Sequence, residues 1–309
     1  PSTYYELSTK LRGMPRRRVA GLAINRNDNP ESAQIVSGIT NPGALVALQN
    51  LTRITDNLAE TQRRVSTGLQ VSSAKDNPAI YALAQQQRAQ LASLETVQQG
   101  LRVGVSTVDV ALAAGESISD VLVEMRQLAS QAADSQLSAS NRQLLQDRYA
   151  DLADQITRLV GSANIGGRNL IANGAADMTV IASDDGSSTI TVAAQDLSIG
   201  GGIINVSADG SALSTAAGAQ AELANIIASI DDLSAALGAL GGGGKSLTLQ
   251  DRILNRVSDA IEISIGIPVD ADLARESSRL QALQVQQQLA IQTLSIANAA
   301  PNAILALFA

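Results

Sequence analysis

The sequence holds no cysteine, no histidine and no tryptophan, and only one phenylalanine, Phe308. Without cysteine there is no disulfide, no thiol nucleophile and no thiolate zinc site. Without histidine the usual general base at neutral pH and the commonest metal ligand are also missing. Only carboxylates, Lys, Ser or Tyr are left to act, so the expectation is a non-enzyme with no catalytic, cofactor-binding or metal site. Aromatics make up 2% of the 309 residues, whereas hydrophobic residues of all kinds make up 45%. Aromatic side chains normally supply much of the buried area of a compact core. Here Leu, Ile, Val and Ala must do so, which suits long helices packed side by side.

The net charge is −7 and unevenly spread. Residues 1–36 hold six basic side chains (Lys10, Arg12, Arg16, Arg17, Arg18, Arg26) and three acidic ones (Glu6, Asp28, Glu31). The acidic remainder, poor in aromatics, argues against nucleic acid as a partner. No apolar run approaches the ~18 residues of a membrane span. No basic segment followed by an apolar stretch and a small-residue cleavage site is present. The expectation is therefore no membrane partner and, for an exported protein, no ordinary cleaved signal.

Residues 1–36 lack a sustained apolar period and read as a flexible or non-native extension. Asn41-Pro42 opens a helix, with Asn41 as cap and Pro42 at the first helical position. Leu51, Leu58 and Val65 follow at seven-residue spacing, with Ala44 and Leu48 assigned to the same face, until Gly68 ends or bends the helix. A second helical stretch covers 79–135, and a third begins at Asn141 and closes at Gly161 and Gly166-Gly167. From Asn173 to Gly218 the texture turns to Gly, Ser, Thr, Asp and Ala. Within it Met178–Ser183 and Ser188–Ala194 flank Asp184-Asp185-Gly186, a hairpin signal. Helical spacing returns over 219–240, is expected to break at Gly241–Gly244, resumes at Leu247–Ile265 and is expected to break again at Pro268. The last segment has the clearest period: Leu273, Leu280, Gln287 and Leu294 form one row, and Glu276, Leu283, Ala290, Ala297 and Ile304 its companion. Such spacing is that of a coiled coil. A lone helix of this kind is marginal in water, so the N-terminal and C-terminal helices are expected to pair.

Two tempting signals fail. Gly241-Gly242-Gly243-Gly244-Lys245-Ser246 lacks the first glycine of a phosphate loop, since Ala239 stands there, and follows a helix rather than a strand. Asp184-Asp185-Gly186 lacks the spacing of a calcium loop and reads as a turn.

Several segments resemble the bacterial flagellins, and in particular their compact alphaproteobacterial members. Thr40-Asn41-Pro42-Gly43-Ala44-Leu45 and the residues to Leu51 are similar to the opening of that family. Ser66-Thr67-Gly68-Leu69 followed by Ser72-Ser73-Ala74-Lys75-Asp76-Asn77-Pro78 resembles its most recognisable motif. Asp270-Ala271-Asp272-Leu273-Ala274-Arg275-Glu276-Ser277 resembles the start of the terminal helix, and Leu294-Ser295-Ile296-Ala297-Asn298 with Ile304-Leu305-Ala306-Leu307-Phe308 its end. The match runs from about Gly38 to Ala309. About 36 residues precede it where the family has only a few, and a start near Val36–Ser37 is expected.

The resemblance implies a mainly α fold, with long antiparallel coiled-coil helices from both termini and a helical outer domain carrying a small β-hairpin insertion. Its segments would be an extension (1–36), a filament core domain (37–80 and 268–309), an outer domain (81–172 and 219–267) and a variable insertion (173–218). The implied function is the polymerising subunit of the flagellar filament; the alternatives are a hook–filament junction protein or a flagellin-like surface adhesin. Implied partners are further copies of the chain in a helical homopolymer, an export chaperone at the C-terminal helix, and hook-associated and cap proteins. The implied location is the extracellular filament, reached by type III export. The expected assembly interface comprises Leu48, Leu51, Leu58, Val65, Leu273, Leu280, Leu283, Leu294, Ile304 and Leu307.

Overall fold

The computed structural model describes residues 41–305, with side chains through 299. The expectations for residues 1–36, for the side chain of Ile304 and for Leu307 lie outside these residues. Five helices dominate: α1 (Pro42–Thr67), α2 (Pro78–Ala132), α3 (Ala139–Ser162), α4 (Ala216–Val269) and α5 (Leu273–Leu305). Strands β1 (Met178–Ile181) and β2 (Thr189–Val192) form an antiparallel pair in which Met178 faces Val192. The chain is mainly α with one small hairpin, as expected.

Helix starts follow capping chemistry. The Asn41 side chain accepts from the Ala44 N–H at 3.1 Å. Asn77 accepts from Ala79 and Ile80 at 3.1 and 3.2 Å, ahead of Pro78 at the first helical position. Ser138 and Thr215 cap α3 and α4 in the same way. Each such cap satisfies an orphan donor and contributes about 1 kcal/mol. α1 ends because Gly68 adopts φ +73°, from which its N–H reaches the Arg64 carbonyl at 2.9 Å; a left-handed residue closing a helix is the usual use of glycine there.

The chain folds into two compact units. One joins the residues up to Arg63 to those from Ala274 onward; the other runs from Arg64 to Leu273. In the second unit α2 packs antiparallel on α4, and α3 packs on α2. Leu101, Ile118, Leu122 and Met125 of α2, Ile156 of α3, and Ile226, Leu240 and Leu247 of α4 are fully buried. Burying one such side chain contributes about 1.5–3 kcal/mol, so an aliphatic stripe suffices where aromatics are lacking. The Gly/Ser-rich stretch after α3 is anchored into this core by Leu197, Ile204 and Leu213, all 0% exposed. At the C-terminal end of α2, the buried Arg142 guanidinium donates to the Ala132 and Asp134 carbonyls, placing a cation where the helix dipole favours one.

The expected breaks at Gly241–Gly244 and Pro268 are not there: α4 is one helix from Ala216 to Val269. Close packing overrides the poor helix propensity of the glycines. A Cβ on Gly243 would meet Val192 Cγ1 at 2.8 Å, and one on Gly244 would meet Val108 Cγ1 at 3.0 Å. The two glycines thus let β2 and α2 approach the helix backbone, and Leu240 and Leu247, both 0% exposed, pin the segment on either side. Pro268 falls in the final turn, one residue before the helix ends at Val269, so the backbone hydrogen bond it removes lies at the helix terminus and not in its interior. Nor does the stretch offer a phosphate-binding loop, because its backbone N–H groups lie within a helix. α4 also corrects the reading that nothing is apolar enough for a membrane span. Part of it passes that test by length and composition, because Ala and Gly dilute its charges; its Leu and Ile stripe packs on α2.

Gly238 and the remaining glycines of the run give a paired prediction. A Cβ on Gly238, Gly241 or Gly242 would meet nothing within 4 Å. Alanine at each should raise stability by about 0.5–1 kcal/mol, by helix propensity and lost unfolded-state entropy. Gly243→Ala should lower it, because the Val192 side chain must move. Thermal unfolding of the four single variants checks the sign of each.

Candidate functional site

The first unit brings the two ends of the described chain together. Asn41, besides capping α1, donates from Nδ2 to the Ala297 carbonyl near the end of α5 at 2.6 Å. A shallow cleft of 290 Å³ lies between Ala47, Asn50, Arg53 and Ile54 of α1 and Gln286, Leu289, Ala290 and Thr293 of α5. The beginning of α1 thus meets the end of α5, and the helices run antiparallel.

Each helix presents a row with alternating spacings of three and four. On α1 the row is Ala44, Ala47, Leu51, Ile54, Leu58, Thr61 and Val65, with Ala47, Leu58 and Thr61 buried, the others half-buried, and Asn57, Glu60 and Arg64 half-buried beside it. On α5 it is Glu276, Leu280, Leu283, Gln287, Ala290, Leu294 and Ala297, with Leu283 buried, the others half-buried, and Ser277 half-buried beside it. A 3.5-residue period of this kind keeps one seam of a helix facing a partner.

Among the residues expected at the interface, Leu51, Leu58, Val65, Leu280, Leu283 and Leu294 thus lie in these rows. Leu48 is 49% exposed, because the α1 seam steps back from Leu51 to Ala47 and leaves Leu48 on the adjoining face. Leu273, the first residue of α5, is also 49% exposed. Sequence reasoning passed over Ala47, Ile54 and Thr61. The three–four alternation back from Leu58 and Leu51 would have located Ile54 and Ala47, and a buried Thr carries no signal of its own.

The helices are not apolar on the seam alone. Leu45 and Val46 of α1, and Val285, Leu289, Ile291 and Ile296 of α5, are more than half exposed. Grouped exposed aliphatics of this kind mark an association surface.

In the second unit, the segment after α1 lies against the segment after α4. The Val269 carbonyl accepts from the N–H groups of Gln70 and Val71 at 2.7 and 3.2 Å, and Ala271 N–H donates to Gly68 at 2.8 Å. The Ser-Ser-Ala-Lys-Asp motif has a local structural role. Asp76 Oδ2 accepts from the N–H and hydroxyl of both Ser72 and Ser73, at 3.0–3.1 Å. The Ser72 hydroxyl first, then Ser73 and the two backbone N–H groups, hold this carboxyl below its usual range against an opposing burial effect. A depressed carboxylate stabilises above its unfolded pKa of about 3.9 and loses that contribution as pH falls through the folded value. Protection of the Ser72 and Ser73 amides from exchange, relative to unstructured chain at the same pH, should therefore fall below about pH 4, and Asp76→Asn should flatten that dependence.

Sequence reading also missed a buried polar knot. Tyr149 of α3, 0% exposed, donates to Glu222 Oε1 at 2.6 Å. The same oxygen accepts from Ser207 N–H at 2.6 Å, and Oε2 accepts from Asn225 Nδ2 at 3.2 Å. Burial first, and then the Glu222 carboxylate, push the Tyr149 hydroxyl far above the normal tyrosine range. The Asp184-Asp185-Gly186 turn likewise spends its oxygens internally: Asp184 accepts from Gln90 at 2.8 Å, and Asp185 from Ser183 and Ser187. Among the described residues, no cluster of three or more acidic side chains has metal-binding geometry.

A pair of end helices with heptad seams and uncovered apolar faces offers a surface for association. The family profile for the bacterial flagellin N-terminal helical region matches residues 39–176, and that for the C-terminal helical region matches residues 223–308. Flagellin FljO of Caulobacter vibrioides is 39% identical over 270 residues, covering 87% of this chain and 97% of that protein. A flagellin of Brucella melitensis is 31% identical over 292 residues, covering 89% and 99%. The structure of a putative flagellar hook-associated protein from Vibrio parahaemolyticus superposes with a TM-score of 0.54 at 14% identity, covering 63% of this chain and 99% of that one; this is a likeness of fold alone. The chain belongs to the bacterial flagellin family, and it is a structural subunit of the extracellular flagellar filament that polymerises with copies of itself.

Proposed function

We propose that the α1–α5 pair is the filament-core element of this flagellin and that subunits associate through the apolar faces left uncovered on it. The observation that carries this reading is the pair of heptad seams with exposed Leu, Ile and Val beside them on both helices. In this arrangement residues 37–80 and 268–309 make the core domain, 81–172 and 219–267 the outer domain, and 173–218 the surface insertion. Leu51, Leu58, Leu280, Leu283 and Leu294 hold the pair together, while Leu48 and the exposed row of α5 meet neighbouring subunits. Leu273, exposed at the first residue of α5, adds to that surface.

The export chaperone covers the apolar C-terminal helix before assembly, and hook-associated and cap proteins meet the filament at its ends. Secretion proceeds by the flagellar type III route. The protein is not a catalyst: the sequence has no histidine or cysteine, and its most buried carboxylate, Glu222, is committed to Tyr149 and Ser207. It needs no cofactor and binds neither nucleic acid nor membrane.

An uncovered coiled-coil face costs order in the isolated subunit, so unassembled ends should open more readily than the aliphatic core of the second unit. Limited proteolysis of monomer should trim both ends and leave a fragment of roughly residues 80–265, whereas filaments should protect the ends. First cleavage within α2 or α4 would reverse the assignment of core and outer domains.

A further inference from the structure

We propose that Asn173 is a site of spontaneous backbone-assisted deamidation, the one asparagine among the described residues poised to convert in the folded protein. Asn173-Gly174 sits in an exposed turn closed by the Ala175 N–H to Ala172 carbonyl bond at 3.2 Å, with Gly174 at φ +67°. The chemistry needs an unhindered nucleophile, a free electrophile and access to water. Gly174 has no side chain and a Cβ placed there would meet nothing within 4 Å, so the approach to its nitrogen is open. Neither its N–H nor the Asn173 amide makes a hydrogen bond.

Comparable residues are held. Asn164 accepts from Gly167 N–H at 2.9 Å. Asn169 is tied at both ends, to Val160 and Ile171, and Asn205 donates to the Gly202 carbonyl at 2.8 Å. Two Asp-Gly pairs could cyclise in the same way, but both carboxyls are ionised near neutral pH, and hydrogen bonds from neighbouring serines lower their pKa further, to about 2. An ionised carboxylate is a poor electrophile, and Gly186 N–H is already given to the Ser183 carbonyl at 3.2 Å.

In the reaction the Gly174 amide nitrogen loses its proton to solvent base and attacks Cγ of Asn173. A nitrogen–Cγ bond forms, the Cγ–Nδ2 bond breaks, and ammonia leaves after taking a proton from solvent. Water then opens the five-membered imide at either carbonyl, giving aspartate or isoaspartate. Nothing is oxidised or reduced, and the net change is one water consumed and one ammonia released. Each converted subunit gains one negative charge beside the hairpin. Because the nitrogen must first lose its proton, conversion accelerates with rising pH.

The test is peptide mapping by mass spectrometry of the intact, full-length protein held for increasing times in ammonia-free buffer at neutral and mildly alkaline pH. The Asn173 peptide should convert several-fold faster than the Asn164, Asn169 and Asn205 peptides. It should also yield a mixture of aspartate and isoaspartate resolved by chromatography, and convert faster at the higher pH. In denatured protein the advantage over the other asparagines should persist, since it then rests on glycine alone. Conversion at Asn173 that is fast when denatured and absent when folded would overturn the proposal, because the turn would then block the attack. Equal rates at Asn164 and Asn169 in the folded protein would overturn it as well. Asn173→Gln should remove the modified peptide and leave polymerisation unchanged.

Discussion

Leu283→Asp should abolish filament formation, as seen by electron microscopy under conditions that polymerise the unaltered protein. Leu283 is the buried member of the α5 row, 7% exposed. Truncating a buried leucine to alanine costs ~2–5 kcal/mol, and a carboxylate in its place adds a desolvation penalty. α5 has little else to hold it, since an isolated helix is marginal in water. A subunit whose end helices separate cannot present a fixed surface, and the defect repeats in every copy. Ile296→Asp separates folding from association: Ile296 is 72% exposed, so the variant monomer should keep its helix content by circular dichroism and still fail to polymerise. Normal filaments from Leu283→Asp would remove the seam from the assembly scheme.

Glu222→Leu should lower the unfolding temperature of the subunit by on the order of 10 °C, given that 1 kcal/mol shifts a unit of this size by ~2–4 °C. The substitution strands the hydroxyl of Tyr149 and the N–H of Ser207, both of which donate to Glu222 at 2.6 Å. An unsatisfied buried donor costs about 1–3 kcal/mol, so two of them cost roughly 2–6 kcal/mol before any gain from the leucine. Tyr149→Phe is the comparison. It keeps the ring in the core and removes one donor, while Glu222 retains Ser207 and Asn225, so its effect should be near 1 kcal/mol. Calorimetry on the three proteins checks the order, and an unchanged transition in Glu222→Leu would show that the knot contributes nothing.

Much of this architecture was legible in the sequence. The cap at Asn41, the stop at Gly68, the hairpin around Asp185-Gly186 and the heptad rows of both end helices are local signals. Capping, left-handed glycine and a seven-residue period act within a few residues, so the order of side chains determines them. The lack of histidine and cysteine and the scarcity of aromatics likewise constrain the chemistry and the kind of core from composition alone.

Tertiary structure decided what depends on neighbours far along the chain. The glycine run reads as a break by propensity, yet Val192 and Val108 lie against it and require the missing Cβ atoms, so α4 continues. Leu48 shares the apolar character of Leu51 but lies off the seam, because the geometry of the helix pair fixes which face is covered. Tyr149 and Glu222 are 73 residues apart, and no local pattern announces that a lone carboxylate will be buried among neutral donors. Local hydrogen bonding and periodicity are short-range and therefore written in sequence; close approach and burial are properties of pairs, settled only when the fold brings those pairs together.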